Sequence, residues 1–600
     1  MRGLISDGLR REILRANQAY DSRLISNGTE IPTLSYADQP YIVKAKDSAL
    51  VCLVTTGAGH EGAPGQHIVA LRSEDNGVTW SSAIAIESPD GVESSYVVPL
   101  ITPAGRIYAF YNHNTDNVRK IPGDKPAYPD GWCRRVDSLG YFVFKYSDDH
   151  GRSWSEKRYT VPVREFEIDR QNTSDGKIRY FWNVGKAFAY SGKGYIPLHK
   201  VGGFGEGFFT RSEGVLLCSD NILTETDPEK ICFETLPDGD IGLRAPAGGG
   251  PIAEEQSFVV LSDGTFFCVY RTVDGAPACC YSRDRGHHWS APDYLRYPDG
   301  RIIKHPRAAN FIWKLSGNRY LYWFHNHGGK GYEDRNPVWC IPAHETDSRE
   351  GKVLTFGQPE ILFYDDDPFI RMSYPDLIEL NGSIYITETQ KNTARIHKIS
   401  DTFIRQLWDI KNIIDEPKCL LDVKNGGVIV DLPGLPCFCQ RDIRRVDHGK
   451  VDLRQGITLI FTFYPCEKST LLLDCQFVNR RGWSLCLCSD GHLELKMSDG
   501  QTQSLNVSEP SIINFSKENE IAVVIDGGPK IVSYIINGSF CDGDANLQFG
   551  WSRFSPHLRD MNGQSRLTIH PEVRNLKIFD KALMTTEILI MQRRAGDNEK

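Results

Sequence analysis

The chain has no block of basic residues. Its 69 Lys and Arg are outnumbered by 77 Asp and Glu, for a formal net charge of -8. Nucleic-acid binding needs clustered cations to neutralise phosphates, so that class is set aside. A small anionic ligand is not, because it needs only two or three local arginines. Nor is there any apolar run near the ~18 residues of a membrane span, and the N-terminal stretch MRGLISDGLRREILRANQ is charged throughout, without the apolar core of a secretory signal. No C-x-x-C pair occurs among the 16 cysteines, which speaks against a zinc ribbon. Several thiols alternate in strand-like patterns (Cys437 and Cys439, Cys486 and Cys488). Without a signal they are read as reduced and the protein as cytoplasmic.

At 600 residues the chain exceeds one core. What it has in abundance is repetition. Ser73-Glu-Asp75-Asn-Gly77-Val-Thr79-Trp80 recurs as Ser147-Asp-Asp149-His-Gly151-Arg-Ser153-Trp154. It recurs again as Ser282-Arg-Asp284-Arg-Gly286-His-His288-Trp289. Ser and Asp side chains can bond the turn's own backbone, Gly supplies a positive φ, and Trp pegs the turn to its sheet. Such turns are structural. A second repeat, a turn followed by an alternating strand, falls at 46–51, 103–110, 191–198, 262–270, 316–324 and 381–387. Six occurrences predict six sheet modules, with long loops within 115–140 and 200–250. Near Asp401–Asp415 the pattern changes to a short helix, and short alternating strands follow from about Gly426.

The box repeat on a six-fold strand pattern resembles the sialidase-like (neuraminidase, Asp-box or BNR-repeat) superfamily over about 380 residues. The closing segment Val573–Leu583 resembles concanavalin or laminin-G modules. The resemblance implies an all-β chain: an N-terminal segment 1–28, a six-bladed β-propeller 29–410, a linker 411–425 and a β-sandwich (jelly roll) 426–600. Exo-sialidases keep a Glu before a strand turn and an Arg at the end of the next strand, as in Glu255 to Arg271. They open a later strand with another Arg, as at Arg335-Asn-Pro-Val-Trp. Their tyrosine nucleophile and a following Glu match Ser373-Tyr374-Pro-Asp-Leu through Glu388, with Pro375 replacing the usual Ser.

The residue types suit the chemistry. Guanidinium forks grip a carboxylate bidentately. A neutral tyrosine can attack an anomeric centre beside a carboxylate that would repel a carboxylate nucleophile, once Glu255 accepts its proton. Two features depart from the family. Asp38, in Tyr36-Ala-Asp38-Gln39-Pro40, stands where its first-blade Arg belongs. The stretch Gly59-His60-Glu61 to Gln66-His67 lacks its acid Asp. The clamp is therefore Arg271 and Arg335, and the acid His60, Glu61 or His67. Asp38 and Glu388 are expected to face each other, with Arg307 or Lys391 compensating. Gln39, His113 and Arg307 are further candidates at strand ends. His113, His325 and His327 have no ligand-spacing pattern, so no metal and no cofactor are assigned. The expected partner is a carbohydrate, anionic in character, with no nucleic acid or membrane. The resemblance implies an exo-acting glycoside hydrolase. A polysaccharide lyase with a His or Tyr base, or a non-catalytic sugar-binding protein, stands as the alternative.

Overall fold

A computed structural model describes residues 20–135, 137–441, 450–465 and 469–597. Most of the expected N-terminal segment 1–28 thus lies outside the described residues. The chain is all-β, with 43% strand and 5% helix. Its described residues divide into two compact units, one of 25–357 and 361–401, the other of 20–24, 358–360 and 402–597. Among them no helix is long and apolar enough to cross a membrane, and the described cysteines are all free.

The first unit contains six antiparallel sheets of four or five strands, spanning 36–85, 94–160, 181–236, 254–294, 311–363 and 373–398. Each turn of the six-fold sequence repeat leads into the second strand of a different sheet: Leu50–Gly57, Ile107–His113, Lys193–Gly205, Phe266–Arg271, Arg319–Phe324 and Ser383–Thr389. The last sheet is completed by the chain's own start, Thr29–Ile31, paired antiparallel with Ala394–Lys398. Apolar residues pack between sheets in chain order. Val51, Leu53 and Ile68 meet Val97, Ala109 and Tyr111; Tyr195 and Leu216 meet Phe258 and Phe266. Ile42 and Leu71 of the first sheet meet Leu380 and Ile396 of the last.

The three box turns have one geometry. Ser73 Oγ accepts the Gly77 N–H (2.7 Å) and the Thr79 N–H bonds Asp75 Oδ1 (2.8 Å). The same pair of bonds forms at Ser147 and Asp149, and at Ser282 and Asp284. Asn76 and Gly77 both take left-handed φ, 59° and 89°. Such a turn brings its tip against the sheet before it. A Cβ on Gly77 would meet Ile396 at 2.8 Å, and one on Gly151 would meet Val51 at 2.9 Å. Trp80, Trp154 and Trp289, which the sequence predicts as buried pegs of these turns, are half-buried, each packed on one of these inter-sheet clusters. A turn at the sheet margin covers only one side of its indole.

Part of 200–250, read as loop, is instead a long hairpin, Lys193–Gly205 with Phe208–Ser219. Its Gly and Phe residues pair across two register shifts. The helix expected over 401–415 ends at Trp408.

In the second unit a seven-stranded and a six-stranded sheet share one core. Alternation decides which residues enter it. Ile457, Leu459, Phe461 and Phe463 face Leu473, Trp483, Leu485 and Leu487 within the same buried cluster. Residues 411–425, expected as linker, end in a strand of the larger sheet, Cys419–Asn425, whose partner Val573–Phe579 is the closing segment noted in the sequence.

Candidate functional site

Four of the six first strands share one irregularity. Tyr36–Lys44, Ser94–Ile101, Glu254–Val260 and Ser373–Leu380 each slip register near their starts, between Asp38 and Tyr41, Ser95 and Val98, Glu254 and Ser257, and Ser373 and Asp376. At each slip sits a non-glycine residue with positive φ: Gln39 (52°), Tyr96 (61°), Glu255 (59°) and Tyr374 (45°). Left-handed backbone costs an L-residue roughly 1–2 kcal/mol. Bulges re-aim side chains, and strain of this kind persists only where its surroundings over-determine it.

The re-aimed side chains of Tyr374 and Glu255 meet. The phenol donates to Glu255 Oε1 at 2.8 Å, both residues being buried, across 119 positions of sequence. Arg271 Nη1 lies 2.9 Å from the same oxygen. Arg271 Nε also donates to Glu254 (2.8 Å), and Arg307 Nη2 donates to the other Glu254 oxygen (2.8 Å). Burial opposes the charge on Glu254, but Arg307 and Arg271 outweigh it and hold its pKa at about 2. Glu255 goes the other way. Burial raises its pKa, Glu254 adds to the rise, and Arg271 only partly offsets it. Burial and the Glu255 charge push the Tyr374 phenol well above its ordinary value. The adjacent carboxylates are thus driven apart, one pinned as an anion and the other made a stronger base.

Arg335 differs from the other two arginines. It donates to the Tyr332 and Arg307 carbonyls (3.0 and 3.4 Å) and to Ser373 Oγ (2.6 Å), but makes no ion pair among the described residues. It is 5% exposed, and burial lowers its pKa, with Arg271 repulsion adding to the effect. Tyr332 packs against all three guanidiniums at 5.6, 4.9 and 5.9 Å and donates to the Gly207 carbonyl of the long hairpin.

On the other side of Tyr374, Lys391 Nζ lies 4.3 Å from its ring centroid. The ammonium pairs with Asp38 (2.8 Å) and Glu61 (3.3 Å). Arg135 also meets Glu61 (3.2 Å), and burial of Glu61 is overridden by these two cations, giving a pKa of about 2. Asp38 is buried; desolvation raises its pKa although Lys391 opposes it. Beyond lies a second tyrosine on a bulge. Tyr96 donates to Asp137 and receives a bond from Arg135 Nη2 (3.1 Å). It packs on Trp182 with ring centroids 4.0 Å apart and the planes tilted by 30°, and Arg135 covers Phe208 at 3.9 Å.

Of the residues singled out from sequence, Glu255, Arg271, Arg307, Arg335, Tyr374, Asp38, Glu61 and the compensating Lys391 fall in this continuous cluster. Others do not. Glu388 bonds His397 (3.2 Å) and Gln390 (3.3 Å). Thr387 and Thr389 on either side of it reach the first strand of the chain-initial sheet, so strand alternation turns Glu388 to the opposite face, away from Asp38. His113 bonds Thr115 (2.8 Å), its pKa lowered to about 4 by burial and then by Arg158. Gln39 bonds the Asn183 carbonyl (3.1 Å), His67 lies 2.9 Å from the Gly65 carbonyl, and His60 is exposed. His305 and His325 stack at 5.9 Å, both buried, and burial pushes both pKa values down.

Glu254, Tyr332, Ser373, Tyr96, Arg135 and Asp137 were not picked out by sequence reasoning. One signal was available: the Ser-Tyr pair at 373–374 recurs at 95–96, at the start of another first strand. Nothing local marks Arg135 or Asp137, which follow the two-residue strand Trp132–Cys133.

No family model matches the sequence, and no curated protein matches it. Solved structures do. One is a protein of unknown function from Dyadobacter fermentans DSM 18053, at 16% identity and a TM-score of 0.44, covering 62% of this chain and 98% of that one. Another is Trypanosoma rangeli sialidase in complex with 2,3-difluorosialic acid (covalent intermediate), at 12% and 0.42, covering 96% and 99%. A third is the intramolecular trans-sialidase from Ruminococcus gnavus in complex with oseltamivir carboxylate, at 13% and 0.42, covering 62% and 96%.

Proposed function

We propose that the chain is an exo-acting, sialidase-like glycoside hydrolase that releases a terminal carboxylated sugar, on a six-bladed propeller followed by a β-sandwich. The observation that carries this reading is the buried Tyr374–Glu255 hydrogen bond of 2.8 Å, made by two residues on strained bulges. A phenol next to a carboxylate of raised basicity is an activated nucleophile. Tyr374 Oη would bond to the anomeric carbon as its proton passes to Glu255. The glycosidic bond breaks with protonation of the leaving oxygen; water, giving its proton back to that acid, then displaces the phenol from the aryl glycoside, and the phenol regains its proton from Glu255. Arg335, a buried cation that has no carboxylate partner among the described residues, would receive the sugar's carboxylate, with Arg271 and Arg307 held beside it through Glu254.

The proton donor is reassigned. Glu61 is pinned as an anion by Lys391 and Arg135 and is a poor acid, and His60 is exposed. Asp38 lies against the same Lys391 and its raised pKa suits donation. The test is a panel of terminal sialosides, uronosides and neutral glycosides scored for released sugar. Carboxylated glycosides should be cleaved, and Arg335→Met should cost about 10²-fold in kcat/KM on them, the value of a bidentate charged hydrogen bond. Equal turnover of neutral and carboxylated glycosides sinks the assignment of Arg335.

A second reading, a lyase acting at a uronate, is favoured by Tyr96, whose phenol sits between Asp137 and Arg135 on its own bulge. A tyrosine so placed can act as a base next to an arginine-held carboxylate. An unsaturated uronate product, detected by its ultraviolet absorbance, would select it.

A further inference from the structure

The hairpin Gly482–Leu487 and Leu493–Ser498 in the second unit sends its leucines inward. Leu485, Leu487, Leu493 and Leu495 are all buried in the shared core. Side chains alternate along a strand, so the residues between them share the outer face. Those residues are Cys486, Cys488, His492 and Glu494, all half-buried. Register brings them together. Cys486 is paired with Glu494, and the Cys488 N–H bonds the His492 carbonyl at 2.9 Å, closing the turn.

Cys488 Sγ, a ring nitrogen of His492 and a carboxylate oxygen of Glu494 all lie within 4.8 Å of one another. The ring is also held. His492 Nδ1 lies 2.5 Å from Asp490 Oδ1. A carboxylate on one ring nitrogen fixes the tautomer and leaves the other nitrogen's lone pair for a metal, the arrangement usual behind ligating histidines. We propose that Cys488, His492 and Glu494 form a zinc site at this hairpin tip, with Asp490 orienting the histidine. The donor set is one that zinc takes, at about 2.0–2.3 Å per bond, and a tight turn already assembles it. Glu494 must give up its 2.6 Å pair with Lys496, which is on the surface and easily released. On binding, the Cys488 thiol loses its proton to solvent. Zinc would then join the two strands across their turn, independently of the chemistry at Tyr374.

The full chain, reduced and freed of metal, is titrated with Zn(II) against a competing chromophoric chelator, and with Co(II) as a spectroscopic probe. The expected result is micromolar or tighter binding with a tetrahedral Co(II) spectrum carrying thiolate-to-metal charge transfer. Cys488→Ser should abolish that band. His492→Ala should abolish tight binding, and Asp490→Asn should weaken it about 10- to 100-fold. These changes lie on a half-exposed turn, and unchanged circular dichroism checks the fold. Cys218→Ser, in the one other described Cys and carboxylate cluster (with Asp220 and Glu234), should leave the spectrum as it is. Failure to bind Zn(II) at micromolar concentration, a charge-transfer band that survives Cys488→Ser, or one lost with Cys218→Ser overturns the proposal.

Discussion

In the unit of residues 25–357 and 361–401, four of the six first strands bend where they carry buried polar side chains. Two of the slips hold the buried carboxylates Asp38, Glu254 and Glu255; the other two hold Tyr374, bonded to Glu255, and Tyr96, bonded to Asp137. In the other unit, mainly residues 402–597, register also slips, between Cys419 and Leu421, Ile460 and Thr462, and Leu471 and Leu473, but there the slips fall among apolar residues of the strands. Leucines, isoleucines and aromatics fill one core with Cys475 and Cys541, while Cys486, Glu494 and Lys496 stay on the outer face. The difference separates two uses of a β-strand. A regular strand sorts residues by polarity and gains stability from burial. A bulged strand gives up some of that gain to aim a few side chains at one another.

The comparison can be broken most directly at Tyr374. If its bulge serves chemistry, Tyr374→Phe should lower kcat by about 10³-fold or more while changing unfolding free energy by roughly 1 kcal/mol, because Glu255 keeps Arg271 as a partner. Steady-state kinetics with chemical denaturation measures both. A loss of fold parallel to the loss of turnover would make Tyr374 structural.

The opposite profile is expected in the other unit. Trp483 is fully buried in the shared core, and Trp483→Ala should cost about 3–5 kcal/mol of stability. The 402–597 unit should then melt earlier, while kcat at the first unit's site is retained below that transition. Calorimetry paired with an activity assay reads this out.

A smaller effect tests the box turns that seal one sheet to the next. Gly77→Ala should cost about 2–4 kcal/mol, combining the left-handed φ of 89° with a Cβ 2.8 Å from Ile396. Gly286→Ala, where the nearest atom is Leu236 at 3.2 Å, should cost less. Reversal of that order in thermal melts would mean that the turns do not carry the inter-sheet contact.

The smallest effects are those of pH. Glu254 has a folded pKa of about 2 against an ordinary 4.5. Its contribution to stability is therefore complete above about pH 4.5 and is lost as pH falls towards 2; Glu254→Gln should flatten that part of the stability profile. Glu255 is raised. Activity should fall with decreasing pH on a limb that lies above the ordinary glutamate range, since a protonated Glu255 cannot accept the phenol proton. A kcat/KM profile flat through that range would count against its role as base.

Much of this was readable in the sequence. Ser, Asp, Gly and Trp at fixed offsets specify a turn through their own backbone bonds, so the three box turns and the strands preceding them follow from local chemistry. Alternation of apolar residues likewise gave the strands of both units. The pairing of Tyr374 with Glu255 rested on spacing and resemblance, because 119 residues of chain separate them. Local pattern failed in other places. It put Glu388 with Asp38, although the pleat turns that side chain to the far face of its strand. It offered Glu61 as an acid without seeing that Lys391 and Arg135 would hold it ionised. It passed over Tyr96, Arg135 and Asp137 altogether. The sequence by itself determined what near neighbours in the chain decide: turns, strands and which residues seek a core. Only the tertiary structure decided which charges are buried together. That choice depends on register slips of one residue and on side chains arriving from sheets a hundred residues apart, and a carboxylate's protonation answers to those arrivals rather than to its neighbours in the chain.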